Sequence, residues 1–149
     1  EVVLEAQRAA IAAVRPGNHW NDPHEAAVRA VTEGLVRIGL LKGQPSRLIR
    51  EGAHRPFFTH RTGHWLGMDV HDVGEYRIGE DWRLLEPGMV LTVEPGIYLP
   101  PGLAAVPKAW RGIGVRIEDD VAVTDGEPEV LTASLPADPD AIERLVQDG

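Results

Sequence analysis

Residues 85–98 read LEPGMVLTVEPGIY, and residues 114–124 read GVRIEDDVAVT. Apolar and polar side chains alternate along most of the second stretch, which is typical of a β-strand with one buried face. In the first stretch, a short β-rich run at residues 89–93 leads directly into Glu94, and a Pro-Gly pair then ends the strand. We therefore predict two strands, a short one that ends at Glu94 and a long one over residues 114–124 that contains Glu118.

The N-terminal part of the chain has the periodicity of helices. Apolar residues within 2–14 recur at steps of three, four and seven, which predicts an amphipathic helix. The sequence NDP at residues 21–23 begins a second helix that ends before Gly39. A short helix is expected at residues 45–51, and a closing helix follows the DPD at residues 138–140. Helices followed by short strands predict an α+β fold in which the helices pack on a mainly antiparallel sheet.

Composition narrows the range of functions. The 149 residues are enough for about one domain, and 43% hydrophobic with 26% charged residues is typical of a globular chain. A net charge of −8 argues against unspecific nucleic-acid binding, which needs a basic surface. No apolar run reaches the ~20 residues of a membrane-spanning helix. The lack of cysteine excludes disulfides and thiolate ligands, and with no leader pattern visible we expect a cytoplasmic protein.

Histidines and glutamates are the candidates for chemistry. Four of the six histidines fall in one segment, at His54, His60, His64 and His71. A carboxylate in a buried strand needs an ion pair, hydrogen bonds or a metal ion, because an unpaired buried charge is very costly. Imidazole and carboxylate groups together are ligands for Mn, Co, Fe or Zn. His64, Glu94 and Glu118 therefore form a candidate site for one or two metal ions.

A purely structural interpretation of the same residues stays open at this point. Isolated histidines are mostly hydrogen-bonded or surface residues, and we interpret His19, His24 and His54 in this way. A glutamate at the end of a strand often pairs with arginine, and Arg116 is an obvious partner for one of the two glutamates.

Three blocks of sequence resemble the proline-specific aminopeptidases and dipeptidases of the creatinase/methionine-aminopeptidase superfamily. They are FFTHRTGHWLGMDVHDVG at residues 57–74, the stretch at residues 85–98, and RGIGVRIEDD at residues 111–120. An RPG turn between the first two helices, at residues 15–17, is similar to the Xaa-Pro aminopeptidase branch. The resemblance extends over roughly residues 1–145 and implies the second half of the pita-bread fold.

The resemblance also implies a metal centre. Members of this family hold two divalent ions, typically Mn, with Co or Zn also suited to the ligands, through five protein side chains. His64, Glu94 and Glu118 match three of these ligands, and the position of Glu118 bridges both ions. Arg116 matches an arginine just before the bridging glutamate, which is expected to orient ligand carboxylates.

His60 and His71 match family histidines that contact the substrate and help to transfer protons. A water that bridges the two ions is the expected nucleophile, so no serine or cysteine is required. The implied substrates are peptides with proline at the second position, from which the N-terminal residue is removed, and the parent protein is expected to be a homo-oligomer.

The sequence departs from the family pattern in one respect. The remaining two ligands are aspartates on strands that precede the first helix, and this chain has no matching pattern. We therefore expect residues 1–149 to be the C-terminal part of a metallopeptidase catalytic domain whose N-terminal half is absent. Such a piece is expected to bind one ion or none by itself and to have little or no peptidase activity.

Two alternative functions remain. A prolidase, which cuts Xaa-Pro dipeptides, would use the same histidine and glutamate blocks. A non-catalytic binding module with the pita-bread fold is the alternative from another class. The presence of His60, His64, His71, Glu94 and Glu118 argues against the binding module for the longer protein.

Overall fold

A computed structural model of the chain describes residues 1–148 and confirms the predicted α+β class. The helices are α1 (Val2–Ala12), α2 (Asp22–Arg37), α3 (Pro45–Arg50) and α4 (Pro139–Asp148), with a 3-10 turn at Lys108–Trp110. The strands are β1 (Arg77–Ile78), β2 (Asp81–Trp82), β3 (Val90–Val93), β4 (Gly96–Tyr98), β5 (Gly114–Arg116), β6 (Asp119–Ala122) and β7 (Glu129–Val130). All of the strand pairings among them are antiparallel.

Helix α2 shows how local sequence sets these boundaries. Pro23 lies in the first turn, where its missing N–H costs nothing, and acidic side chains near the start favour the positive end of the helix dipole. At the other end, Gly39 has a φ of +81°, a left-handed conformation that glycine adopts without strain. Helix α1 packs closely on α2 because Gly34 leaves room for the side chain of Val2.

The prediction of one long strand over residues 114–124 was wrong, because the structure has two shorter strands there, β5 and β6. Strand β3 pairs with β6, and β4 pairs with β5. The break between β3 and β4 therefore lies opposite the break between β5 and β6. The interruption falls where Glu94-Pro95 faces Ile117-Glu118, between the pairs Val93–Asp119 and Gly96–Arg116. Proline has no N–H to donate, so the exchange of hydrogen bonds in both directions stops here, and the N–H of Ile117 donates to the carbonyl of Pro95 at 3.4 Å.

The buried core lies between α1, α2 and the sheet that contains β3 and β6. Leu91, Val93, Val121 and Val123 from the sheet are almost fully buried. On the helical side the core includes Ala6, Ala10, Val14, Ala27, Val31 and Leu35. By contrast, the apolar side chains of α4, Ile142, Leu145 and Val146, are exposed. Among the residues that the structure describes, no helix is both long and apolar enough to span a bilayer.

Residues 57–74, which we call the histidine segment, run along the edge of β3. The backbone N–H of Thr92 donates to the carbonyl of His64 at 3.0 Å, and the N–H of Glu94 donates to the carbonyl of Thr62 at 2.7 Å. Gly63 lies between these two bonds, and a Cβ there would be 2.0 Å from the carbonyl oxygen of Thr92. The pairing therefore requires glycine at this position because the two backbones approach so closely.

Replacement of Gly63 by alanine is expected to push the histidine segment away from β3 and to lower the free energy of unfolding by about 1–3 kcal/mol, the usual cost of overpacking. Urea unfolding of the wild type and the variant measures this loss. Gly102→Ala is the matched control, since a Cβ at that position meets no atom within 4 Å. Equal unfolding midpoints for Gly63→Ala and Gly102→Ala would contradict this description.

Candidate metal centre

The interruption of the strands brings two carboxylates together. Glu94 follows β3 and Glu118 precedes β6, on facing sides of the break. The histidine segment adds His64 beside them. One ligand atom from each of the three residues lies within 4.8 Å of the other two, which is a separation that one cation could span. The residues that the sequence selected as metal ligands thus lie together in the structure.

The hydrogen bonds of His64 prepare its ring for a metal ion. Its Nδ1 lies 2.9 Å from the backbone carbonyl of Trp65, and because a carbonyl can only accept, this nitrogen carries the proton. In the neutral ring, Nε2 is then the nitrogen with the lone pair, and it lies 3.4 Å from Oε1 of Glu94. Metal-bound histidines commonly have this arrangement, in which the second nitrogen donates to a carbonyl and fixes the ring.

Thr92 connects two of the candidate ligands and was missed by the sequence reasoning. Its side chain is 2% exposed, its hydroxyl accepts a hydrogen bond from the backbone N–H of His64 at 3.1 Å, and it donates to Oε1 of Glu94 at 3.3 Å. The available signal was the period of the strand, because residues two apart on β3 point to the same face. Arg116 approaches the other oxygen of Glu94, with Nη1 3.5 Å from Oε2, as the sequence suggested.

The two remaining histidines of the predicted site have different surroundings. His60 donates from Nδ1 to the carbonyl of Arg61 at 2.7 Å, and in the neutral ring its Nε2 accepts a hydrogen bond from the hydroxyl of Tyr98 at 2.8 Å. Tyr98 is thus a second neighbour that the sequence reasoning missed. His71 is exposed, and its ring packs edge-on against that of His64, with centroids 4.4 Å apart.

The expected buried setting of Glu118 is not found. Glu118 is exposed, whereas Glu94 and His64 are mostly buried, with side chains 13% and 15% exposed. The reason is the division of the predicted strand, because all three residues of β5 and Glu118 itself are exposed, and only Ile117 between them packs partly against the core. Of the two carboxylates, Glu94 would therefore be destabilised more by the lack of a charged or hydrogen-bonding partner, because it is the more buried.

The donor set fits a divalent metal ion. One imidazole nitrogen with its lone pair available and two carboxylates form the mixed nitrogen and oxygen environment that suits Mn, Co, Fe or Zn. Two negative carboxylates so close together also repel each other, and a cation between them removes that repulsion. His64, Glu94 and Glu118 are the residues that would hold such an ion.

Three further histidines lie outside this ligand set. His19 is on the surface, 3.8 Å from a carboxylate oxygen of Asp22. His24 forms a 2.8 Å hydrogen bond with the hydroxyl of Thr62 and lies against the ring of Phe58. Burial is the main reason that the pKa values of His24 and His54 are lowered, and that of His24 falls to about 4.

The lowered pKa of His24 predicts a loss of stability in mild acid. In the unfolded chain the imidazole binds a proton near pH 6.5, but in the folded chain only near pH 4. The free energy of unfolding should therefore fall by as much as about 3 kcal/mol as the pH falls from 6.5 to 4. Urea unfolding at several pH values measures this, and His24→Gln should remove most of the slope.

His19→Gln provides the control for that series, because His19 lies on the surface beside Asp22. The same pH dependence in His24→Gln and in the wild type would show that another group causes the loss.

In a comparison with known proteins, the sequence model of metallopeptidase family M24 matches residues 1–125 of this chain. The Xaa-Pro aminopeptidase of Escherichia coli is 50% identical over 147 residues, which are 98% of this chain and 33% of that protein. The structure of Pseudomonas aeruginosa aminopeptidase PepP has a TM-score of 0.95 and 58% identity over 99% of this chain and 33% of its own. A structure of E. coli aminopeptidase P with the inhibitor Pro-Leu has a TM-score of 0.89 and 50% identity, over 97% of this chain and 32% of its own.

This chain therefore spans about a third of the length of the relatives that it matches. The likeness to aminopeptidase P confirms the expected fold, in which this chain is part of a pita-bread architecture. The family model covers more than half of the chain, including the histidine segment, Glu94 and Glu118. The chain belongs to metallopeptidase family M24.

Proposed function

We propose that this chain is the C-terminal part of the catalytic domain of a metal-dependent aminopeptidase. The enzyme would remove the N-terminal residue from peptides that have proline at the second position. The observation that carries the proposal is the grouping of His64, Glu94 and Glu118 within 4.8 Å, with His71 packed against His64. The relatives named as Xaa-Pro aminopeptidases support the substrate class.

The proposed cofactor is a pair of divalent ions, with Mn first and Co or Zn suited to the same ligands. When bound, such ions polarise the scissile carbonyl and lower the pKa of a bound water. His64, Glu94 and Glu118 provide three ligands, which are enough for one ion. A second ion needs further carboxylates from outside these 149 residues, so the chain alone would hold one ion or none.

The side chains of this chain would position the metal ligands and transfer protons. His64 offers Nε2 because its Nδ1–H is fixed on the carbonyl of Trp65. Arg116 and Thr92 hold the two oxygens of Glu94 in place, the first by charge and the second by a hydrogen bond. His71 is exposed beside His64 and can exchange a proton with the substrate.

His60 is proposed to act together with Tyr98. In the neutral ring, the imidazole Nε2 accepts a hydrogen bond from the hydroxyl of Tyr98. A substrate N–H that replaces this hydroxyl would therefore find an acceptor at hydrogen-bond distance. His60 and Tyr98 would in this way hold the peptide beside the metal ligands.

The wider setting is part of the same proposal. The lack of cysteine supports a cytoplasmic location, and the net charge of −8 argues against a nucleic-acid partner. The parent protein is proposed to be a homo-oligomer that acts on peptides.

The proposal predicts metal-dependent release of the residue before proline. The test uses the longest native polypeptide that contains this chain. Loss of a residue that only supports a metal ligand typically costs roughly 10–100-fold in activity. Because Glu118 is itself a proposed ligand, Glu118→Gln should lower kcat for Xaa-Pro-Xaa peptides by more than that. Glu33→Gln on the surface of α2 is the matched control and should leave kcat unchanged. Product analysis by mass spectrometry with and without added Mn²⁺ measures the effect.

Peptide length separates the alternatives in that experiment. Cleavage of tripeptides and longer peptides supports the aminopeptidase, and cleavage restricted to Xaa-Pro dipeptides would identify a prolidase instead. An absence of any metal-dependent cleavage in the native polypeptide would overturn the proposal in favour of a binding module. For the isolated 149 residues, turnover equal to that of the native polypeptide would contradict the proposed need for further ligands.

Thr92 provides a test that does not depend on activity. Thr92→Val keeps the shape of the side chain but removes the hydroxyl that holds Glu94 and the backbone of His64. The affinity for Mn²⁺, measured by calorimetry, should fall about 10–100-fold, as when other outer partners of metal ligands are lost. Thr92→Ser retains the hydroxyl and should keep most of the affinity. Equal weakening in both variants would mean that packing, rather than the hydrogen bonds, is responsible.

A further inference from the structure

A concave region is formed by His24 and by residues 54–61, which precede the metal-ligand candidate His64 in the sequence. It is a pocket of about 640 Å³, which we call the cationic pocket. Its lining includes His24, His54, Arg55, Phe58, His60 and Arg61. Two arginines and three histidines contribute to this lining, and no acidic residue does. This composition is opposite to that of the chain as a whole, which carries a net charge of −8.

The guanidinium group of Arg61 is held in position by neutral neighbours. Its Nη2 donates to Oδ1 of Asn21 at 2.5 Å, and the group lies 4.9 Å from the ring centre of Trp82. The amide of Asn21 in turn donates to Oε1 of Glu25 at 2.7 Å, and the charge of Glu25 also acts on Arg61. Within residues 1–148, neither Arg55 nor Arg61 forms an ion pair with a carboxylate.

Positive charge predominates in the electrostatic environment of the pocket. The pKa of Arg61 is lowered first by burial and then by the charge of Arg77. The pKa of His54 is likewise lowered by burial and then by Arg55. Burial and neighbouring positive groups therefore disfavour the charged forms of Arg61 and His54. A negatively charged ligand would offset this effect, and an arginine side chain binds a carboxylate through paired N–H groups.

We propose that the cationic pocket binds a carboxylate carried by the peptide substrate, downstream of the residue that is released. This inference rests on the proposed aminopeptidase function, because His60 belongs both to the pocket and to the proposed substrate site. The N-terminal ammonium of a substrate is positive and would be repelled by Arg55 and Arg61. The downstream part carries the negative groups, either the C-terminal carboxylate of a short peptide or an acidic side chain.

Hydrolysis of four matched tetrapeptides, with proline second, tests the proposal. They carry Glu or Gln at the third position, and each is made with a free or an amidated C-terminus. In the native polypeptide, kcat/KM should be about tenfold higher for the peptide whose carboxylate reaches the pocket. The Glu/Gln pair and the acid/amide pair distinguish a side-chain carboxylate from a terminal one. No preference in either pair overturns the inference and leaves the aminopeptidase proposal intact.

Variants assign the preference to the pocket. Arg61→Met and Arg55→Met should each reduce the preference towards unity, whereas Arg61→Lys should keep part of it. Arg8→Met, on the exposed face of α1, removes the same charge outside the pocket and should leave the preference unchanged. Having two arginine variants keeps the test decisive if one of them fails to fold. An unchanged preference in both methionine variants would overturn the assignment.

Binding can be measured without turnover. Calorimetry with the dipeptides Pro-Glu and Pro-Gln-amide, neither of which has proline second, reports the affinity of the pocket for a carboxylate directly. Tighter binding of Pro-Glu that is lost in Arg61→Met supports the inference even if no peptide is cleaved, in which case the proposed function alone fails. Equal affinity for both dipeptides overturns the inference.

Discussion

The close backbone contact between the histidine segment and strand β3 is the constraint on which the candidate site depends. Two hydrogen bonds, at 3.0 and 2.7 Å, fasten the segment on either side of Gly63. They fix the backbone of His64 opposite Thr92, two residues before Glu94 on the same strand. A ligand from an irregular segment thereby acquires the rigidity of a buried strand, which the precise geometry of a metal site requires.

The interruption of the strand pairs provides the other half of the site. A continuous ladder would direct alternate side chains to opposite faces of a sheet and bury half of them. At Pro95 the ladder stops, and the residues beside the break, Glu94 and Glu118, need not enter the hydrophobic core. Two carboxylates can thus lie close together at the edge of a core that stabilises the strands around them. The carboxylates of Glu94 and Glu118 repel each other, and a cation bound between them would offset this repulsion.

Sequence patterns predicted the fold class, the helices near their observed limits and the residues that meet at the site. They succeeded because amphipathic periods, Pro at the start of α2 and Gly39 at its end each reflect a local physical preference. The division of the predicted long strand was missed because alternation continues through Ile117 and Glu118, while its cause, Pro95, lies on the partner strand. Thr92 and Tyr98 were missed for a similar reason, since their roles depend on contacts with the histidine segment, 28 and 38 residues away in sequence.

We propose that His64, Glu94 and Glu118 together bind a divalent ion. Anomalous diffraction from crystals of the native polypeptide grown with Mn²⁺ tests it most directly. An anomalous peak is expected about 2.0–2.3 Å from Nε2 of His64 and from an oxygen of each glutamate, the usual range for such bonds. Density for Mn²⁺ at other residues, or none at these three at saturating Mn²⁺, would contradict it.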